Sequence, residues 1–318
     1  MPFLRRLAFA PVVFLVVAAL TYAVPRILLP ELFPGQGPLE GAAHDLNRAL
    51  LHLDFGCAHI LPGCPSIHDL WVDGMAWDLW LIGGALVLGV ATGIPAGIWC
   101  ARRPRSLRAR ALESAAAVAY CAPVFFVGLL ALWLFNPTYG QLPLPAFFDA
   151  EPRWVSPWDA PWDWFRQLLV PWIVVAAPLA SMCLRLTLAT TREAMDEDFV
   201  RTAAAKGVAH DRVVRRHAAP LSYAGTFSFV GASAPLVITN MVLVELTLSV
   251  PGFFRHTWRA AGHAQALRRG LADAVPDLPL LCALTLWGAV LLIVVGLIAD
   301  GIVSYVDPRV RMSSAQAW

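Results

Sequence analysis

Two stretches of this chain carry side chains capable of chemistry. The first holds Cys57 and Cys64, with His52, His59 and His68 around them. Two cysteines this close can close a small disulfide loop on an oxidising side, and that is the leading reading. The same sulfurs with an imidazole can instead ligate zinc or nickel, or both can stand as free thiols beside scattered histidines. The second stretch is the charged run REAMDEDFVRTAAAKGVAHDRVVRRHAAP, residues 192–220. Ala203, Ala204 and Ala205 favour a helix, Gly207 stops it, and Asp211 opens another turn. Such an element makes and breaks no bonds. It offers a handle to something in the water.

The motifs of catalysis are absent from the sequence. No Gly-x-x-x-x-Gly-Lys-Ser/Thr loop is present, and the single lysine, Lys206, lies in the charged run. No His-Glu-x-x-His pair or nucleophile motif occurs. The chain is therefore expected not to be an enzyme and to hold no cofactor or metal of its own.

The elements that position these residues are apolar. Of 318 residues, 58% are hydrophobic and only 14% charged, where a soluble chain carries about a quarter charged. A net charge of +2, with no basic run interleaved with aromatics, points away from nucleic acid. The apolar residues fall into blocks, which predicts an all-α, polytopic membrane protein. Six spans are expected, over residues 7–29, 76–100, 112–135, 168–190, 223–247 and 278–303. The first follows Arg5 and Arg6 and resembles a signal peptide, but its length and the polytopic remainder favour an uncleaved span.

Basic residues set the orientation. Arg5 and Arg6, the cluster Arg102 to Arg110, the run from Arg192 to Arg216, and Arg309 with Arg311 all fall on one side. That side is then cytoplasmic, with both termini inside. Asp45, Asp54, Asp69, Asp73 and Asp78 fall on the other side, as do four dissenting arginines at 255, 259, 268 and 269. Residues 1–75 then form the first span and outer loop, 76–303 a core of five spans carrying the 192–220 loop, and 304–318 a cytoplasmic tail.

Within the spans, Ala85, Gly89, Gly93 and Gly97 form a small-residue stripe suited to close helix packing, with Pro95 as a kink. Glu245 would cost about 2.5–3.5 kcal/mol facing lipid at mid-membrane, so it is expected to face the bundle interior, a partner or water. Lining a translocation path and pairing structurally with an arginine both remain open for it. Trp154, Trp158, Trp162 and Trp164 in the second outer loop read as interface anchors.

The 192–220 loop resembles that of bacterial ABC-importer permeases, where a coupling helix docks on an ATPase subunit. Ala203, Gly207 and Pro220 stand at the family's small-residue, Gly and Pro positions. Asp198-Phe199-Val200-Arg201-Thr202-Ala203, then Ala205-Lys206-Gly207 and His217, look like the dipeptide/oligopeptide/nickel branch. Arg185-Leu186-Thr187, Val244-Glu245 with Pro251-Gly252, Asp277-Leu278-Pro279 and Asp307-Pro308-Arg309 agree in order with that branch. Ala204 departs from it where an Arg is usual, Phe254 where a second Gly is common, and Gly225 where the branch often has a Pro.

The resemblance implies a permease of the cell inner membrane that forms half of a translocation pathway for peptides or a related small solute. It implies a second homologous permease, two cytoplasmic ATP-binding subunits supplying ATP and Mg, an extracytoplasmic solute-binding protein, and a lipid bilayer around them. It assigns ATPase coupling to Asp198, Arg201, Thr202, Ala203, Ala204, Lys206, Gly207, His217 and Pro220. The competing classes are a secondary transporter or channel without an ATPase, and a membrane scaffold or sensor.

Overall fold

The computed structural model describes residues 2–29, 37–135, 154–262 and 276–306. The described residues are helical, joined by turns and one isolated β-bridge. Four helices are long and apolar enough to cross a membrane: α1 (Pro2–Leu28, apolar from Arg6), α3 (Ile67–Arg102), α6 (Pro161–Ala194) and α12 (Leu278–Val306), which comes after the short α11 (Thr257–Ala260). The other two expected spans are not continuous helices. α4 (Leu107–Cys121) meets α5 (Val124–Phe135) at 104°, and α9 (Ala219–Ala232) meets α10 (Ala234–Leu248) at 53°. Counting each bent pair as one span gives six.

Proline explains both bends. Ala122 precedes Pro123, whose ring disfavours a helical conformation at the residue before it, and Ala122 is extended at ψ 127°. Pro235, near the start of α10, has no N–H to continue the ladder past Ser233.

The chain forms two compact units, one of Trp80–Leu248 with Val295–Trp318 and Met1–Phe3, the other of Leu4–Leu79 with Ser249–Val294. In the first, the small-residue stripe lets α3 and α6 approach closely. A Cβ on Gly93 would lie 2.5 Å from the Ala180 carbonyl oxygen, and one on Gly97 would lie 2.6 Å from that of Leu184. Gly84 belongs to the same contact, with the Trp172 ring where its side chain would be. Trp172 then donates its indole N–H to the Trp80 carbonyl at 2.9 Å.

The second unit contains an element that hydropathy does not reveal, the amphipathic helix α2 (Pro38–His52). Its Ala42 and Ala49 pack with Ala18, Tyr22, Cys282 and Leu286, while Leu39 and Leu51 are exposed. The outward side of α1 is also exposed and apolar, with Phe9, Val12, Val13, Val16 and Leu20 in the open. In a membrane protein such a face meets lipid.

Candidate functional site

The charged run folds as two short helices on a small apolar base. α6 ends at Ala194, a turn carries Asp196 and Glu197, and α7 (Asp198–Ala205) follows. Glu197 accepts the Val200 and Arg201 amides at the opening of α7, each at 3.0 Å. Thr202 returns its hydroxyl to the Asp198 carbonyl at 2.8 Å. Gly207 then turns the chain at φ +78°, a left-handed conformation that residues with a Cβ resist. α8 (His210–Val213) runs into a π-helical turn, Val214–Ala218, that leads into α9. Pro220 sits in the first turn of α9, and its ring would crowd the Arg216 carbonyl in a regular helix. The wider π turn accommodates it.

Val200, Val213, Ala194 and Ala218 form the base, with Met195 and Val208 against them. Val200 and Val213 are at most 1% exposed. The opposite face is open: Asp198, Phe199, Arg201, Thr202, Ala205, Lys206 and Gly207 are exposed, and Ala203 and His217 are partly so. Phe199 is 51% exposed, which is unusual for a phenyl ring in a protein-only environment.

One polar clamp fixes this element, and sequence reasoning missed it. Arg102, the last residue of α3, donates Nε to Asp211 Oδ1 at 2.6 Å and Nη2 to Asp211 Oδ2. Arg215, one turn further along, lies 4.0 Å from the same carboxylate. Asp211 thus holds two guanidinium groups. Arg192, at the end of α6, pairs with Glu113 of α4 at 2.9 Å. The Arg201–Asp196 pair, at 3.9 Å and largely exposed, is solvent-screened and weak. Beside the clamp is an open hollow of about 670 Å³, lined by Pro95, Trp99, Arg102, Arg215, Tyr223 and Phe227. Arg103 lies over the Trp99 ring at 5.1 Å.

Glu245, on α10, is fully buried. Trp164 packs its ring edge-on against Trp80 and Trp172. Trp158 and Trp162 are widely exposed, as anchors at a membrane surface would be. The rest of that loop, residues 136–153, lies outside the described residues, as do Arg268, Arg269 and the 307–318 tail.

The second unit is held by different means. Cys57 and Cys64 are joined in a disulfide. Ile60, inside the closed loop, donates its amide to Asp277 Oδ2 at 3.0 Å, and Asp277 Oδ1 accepts from Leu280 at the start of α12. Asp78, one of the acids expected on the side opposite the basic clusters, is fully buried. It accepts the Phe253 amide at 2.9 Å and the Trp287 indole N–H at 2.6 Å. Arg48 donates to Asp54, and that hydrogen bond, helped by the Gly56 amide, holds the Asp54 carboxyl below its usual range. Burial pushes the His256 imidazole down to about 4, with Arg255 and Arg259 adding to the effect.

Four to six apolar helical spans define a multi-pass membrane protein. Residues 93–312 match the family described as binding-protein-dependent transport system inner membrane component, and the chain belongs to that family. The matched segment includes the whole 192–220 loop. The chain is 24% identical, over 97% of its length and 98% of the relative's, to the dipeptide transport system permease protein DppB of Lactococcus lactis. It is 26% identical to the peptide transport system permease protein SapB of Salmonella typhimurium, over 70% of this chain and 75% of that one. A DppB of Alkalihalophilus pseudofirmus is 24% identical over 78% and 74%.

Proposed function

We propose that this chain is one permease subunit of an ATP-driven importer of peptides or a related small solute, and that the 192–220 loop receives the motion of its ATPase. The observation that carries this reading is the form of the loop. Ala194, Val200, Val213 and Ala218 are spent on the loop's own base and Asp211 on α3, which leaves a face of Phe199, Arg201, Thr202, Lys206 and Gly207 turned outward. Rigid attachment on one side and an open face on the other suit an element that transmits displacement to helices. The names of the relatives support peptide as the cargo class. Separate ATP-binding subunits, a second permease and a solute-binding protein complete the proposed assembly, with both termini and the loop in the cytoplasm.

In this scheme ATP binding closes the ATPases, and the loops carry that closure into α3, α6 and α9. The permease pair then opens outward to accept solute, and hydrolysis resets it. The test is uptake by the assembled importer carrying Arg201→Glu together with Gly207→Pro. Proline cannot adopt φ +78°, and the charge reversal alters the open face. Membrane insertion is expected to be unchanged and ATP-dependent uptake abolished. Undiminished uptake would remove the loop from the mechanism.

A further inference from the structure

The disulfide loop of the second unit holds a third group with ligand chemistry. His59 Nδ1 lies 3.5 Å from Cys64 Sγ and 3.9 Å from Cys57 Sγ. The three atoms lie within 4.8 Å of one another, the only such trio of His, Cys, Asp or Glu among the described residues. We propose that this Cys-x-His-x-x-x-x-Cys loop is a redox-gated zinc site, closed as a disulfide when oxidised and holding Zn²⁺ through Cys57, His59 and Cys64 when reduced.

Three features carry the proposal. The Cα atoms of the two cysteines are 5.3 Å apart, so their side chains can meet in a sulfur–sulfur bond or around one cation with Zn–S bonds of about 2.3 Å. The loop's shape does not depend on the bridge alone. Ala58 donates to the Pro65 carbonyl at 2.9 Å, Ile67 to that of Gly56 at 3.0 Å, and Ile60 to Asp277. Opening the disulfide therefore leaves the three ligands gathered. Finally, Cys57 and His59 border a cavity of about 220 Å³ shared with Asp54, Arg48, Asp45 and Tyr22, which leaves a fourth position for water or an anionic ligand.

His59 is exposed and both cysteines are half-buried, so a dithiol donor can reach the bridge. The donor gives two electrons and two protons to the sulfur–sulfur bond and becomes a disulfide itself, leaving two thiols on the loop. Zn²⁺ then displaces both thiol protons and accepts the imidazole nitrogen in its neutral form. The site lies outside the 93–312 family match and is independent of the proposed import function.

The experiment titrates Co²⁺, as a spectroscopic substitute for zinc, into the purified full chain in detergent, oxidised and after anaerobic reduction with a phosphine. The expected result is one Co²⁺ per reduced chain with thiolate-to-metal charge-transfer absorption, displaced by Zn²⁺, and none on the oxidised chain. His59→Ala is expected to weaken binding by roughly tenfold or more. Zn²⁺ should raise the melting temperature of the reduced chain only. Absorption no stronger in the reduced chain than in Cys57→Ser/Cys64→Ser overturns the proposal. So does absorption that persists in that double variant, since the exposed Cys121 would then be its source. The oxidised wild type serves as the control if the double variant folds poorly.

Discussion

The Cys57–Cys64 region of the second unit and the charged loop of the first are both small, polar and turn-rich, yet they are built on opposite plans. Around Cys57 the chain is pinned by a covalent bridge and by two carboxylates, Asp78 and Asp277, that each accept two protein N–H groups. Around Gly207 it is held by a few valines and alanines and by the half-exposed Asp211 carboxylate, which Arg102 and Arg215 share, with its other face bare. Buried hydrogen bonds of this kind confer rigidity and are costly to break. An element anchored on one face, with an exposed phenyl ring on the other, is suited to being gripped. The first plan is that of a fixed frame, the second that of the proposed docking element.

Substitutions should therefore separate the two regions by readout. The largest stability loss is expected for Asp78→Ala, which strands the Phe253 amide and the Trp287 indole in a dry interior. Each buried donor left unsatisfied costs about 1–3 kcal/mol, so the melting temperature in detergent and the folded yield should both fall steeply. A melting temperature equal to the wild type's would mean that the frame does not rest on Asp78.

Next comes a pH effect on the same frame. His256 is neutral when folded down to about pH 4, whereas an unfolded imidazole protonates near 6.5. The unfolded chain binds more protons between those values. Stability should therefore be full above about pH 6.5 and fall by about 3 kcal/mol as pH drops to 4. His256→Phe should flatten that slope in melting curves taken across this range. An unaltered slope would place the acid sensitivity elsewhere.

The loop should behave the other way round. Asp211→Asn weakens the pairs with Arg102 and Arg215, and its stability cost should stay near 1 kcal/mol because the carboxylate is half exposed. ATP-driven uptake, by contrast, should drop by about 5- to 100-fold as coupling is lost. Phe199→Ala sharpens the contrast further, with a change in stability within about 0.5 kcal/mol but a clear loss of uptake. If either variant melts early and transports normally, the two regions are not divided in this way.

Much of the frame was legible in the sequence because hydropathy and special residues report on local geometry. The apolar blocks marked α1, α3, α6 and α12, and Gly207 marked a turn that only a residue without a Cβ takes easily. Cys57 and Cys64 were close enough in sequence to suggest a bridge. Other features depend on tertiary placement, which hydropathy does not register. Pro123 and Pro235 were visible, but a continuous apolar window conceals how sharply each bends its span. Arg102 and Asp211 are 109 residues apart, and each alone reads as an ordinary surface charge. Asp78 sits at the edge of an apolar block and was counted as an outer acid, because burial of a carboxylate depends on donors contributed by Phe253 and Trp287.

The central claim is that the face of α7 meets an ATP-binding subunit. A photo-reactive residue placed at Arg201 in the membrane-embedded importer tests it directly, with the same group at Arg48 of the second unit as the control. The account predicts an adduct at position 201 whose second chain binds ATP, and no such adduct at position 48. Absence of an ATP-binding adduct at 201, or an equal yield at both positions, would contradict it.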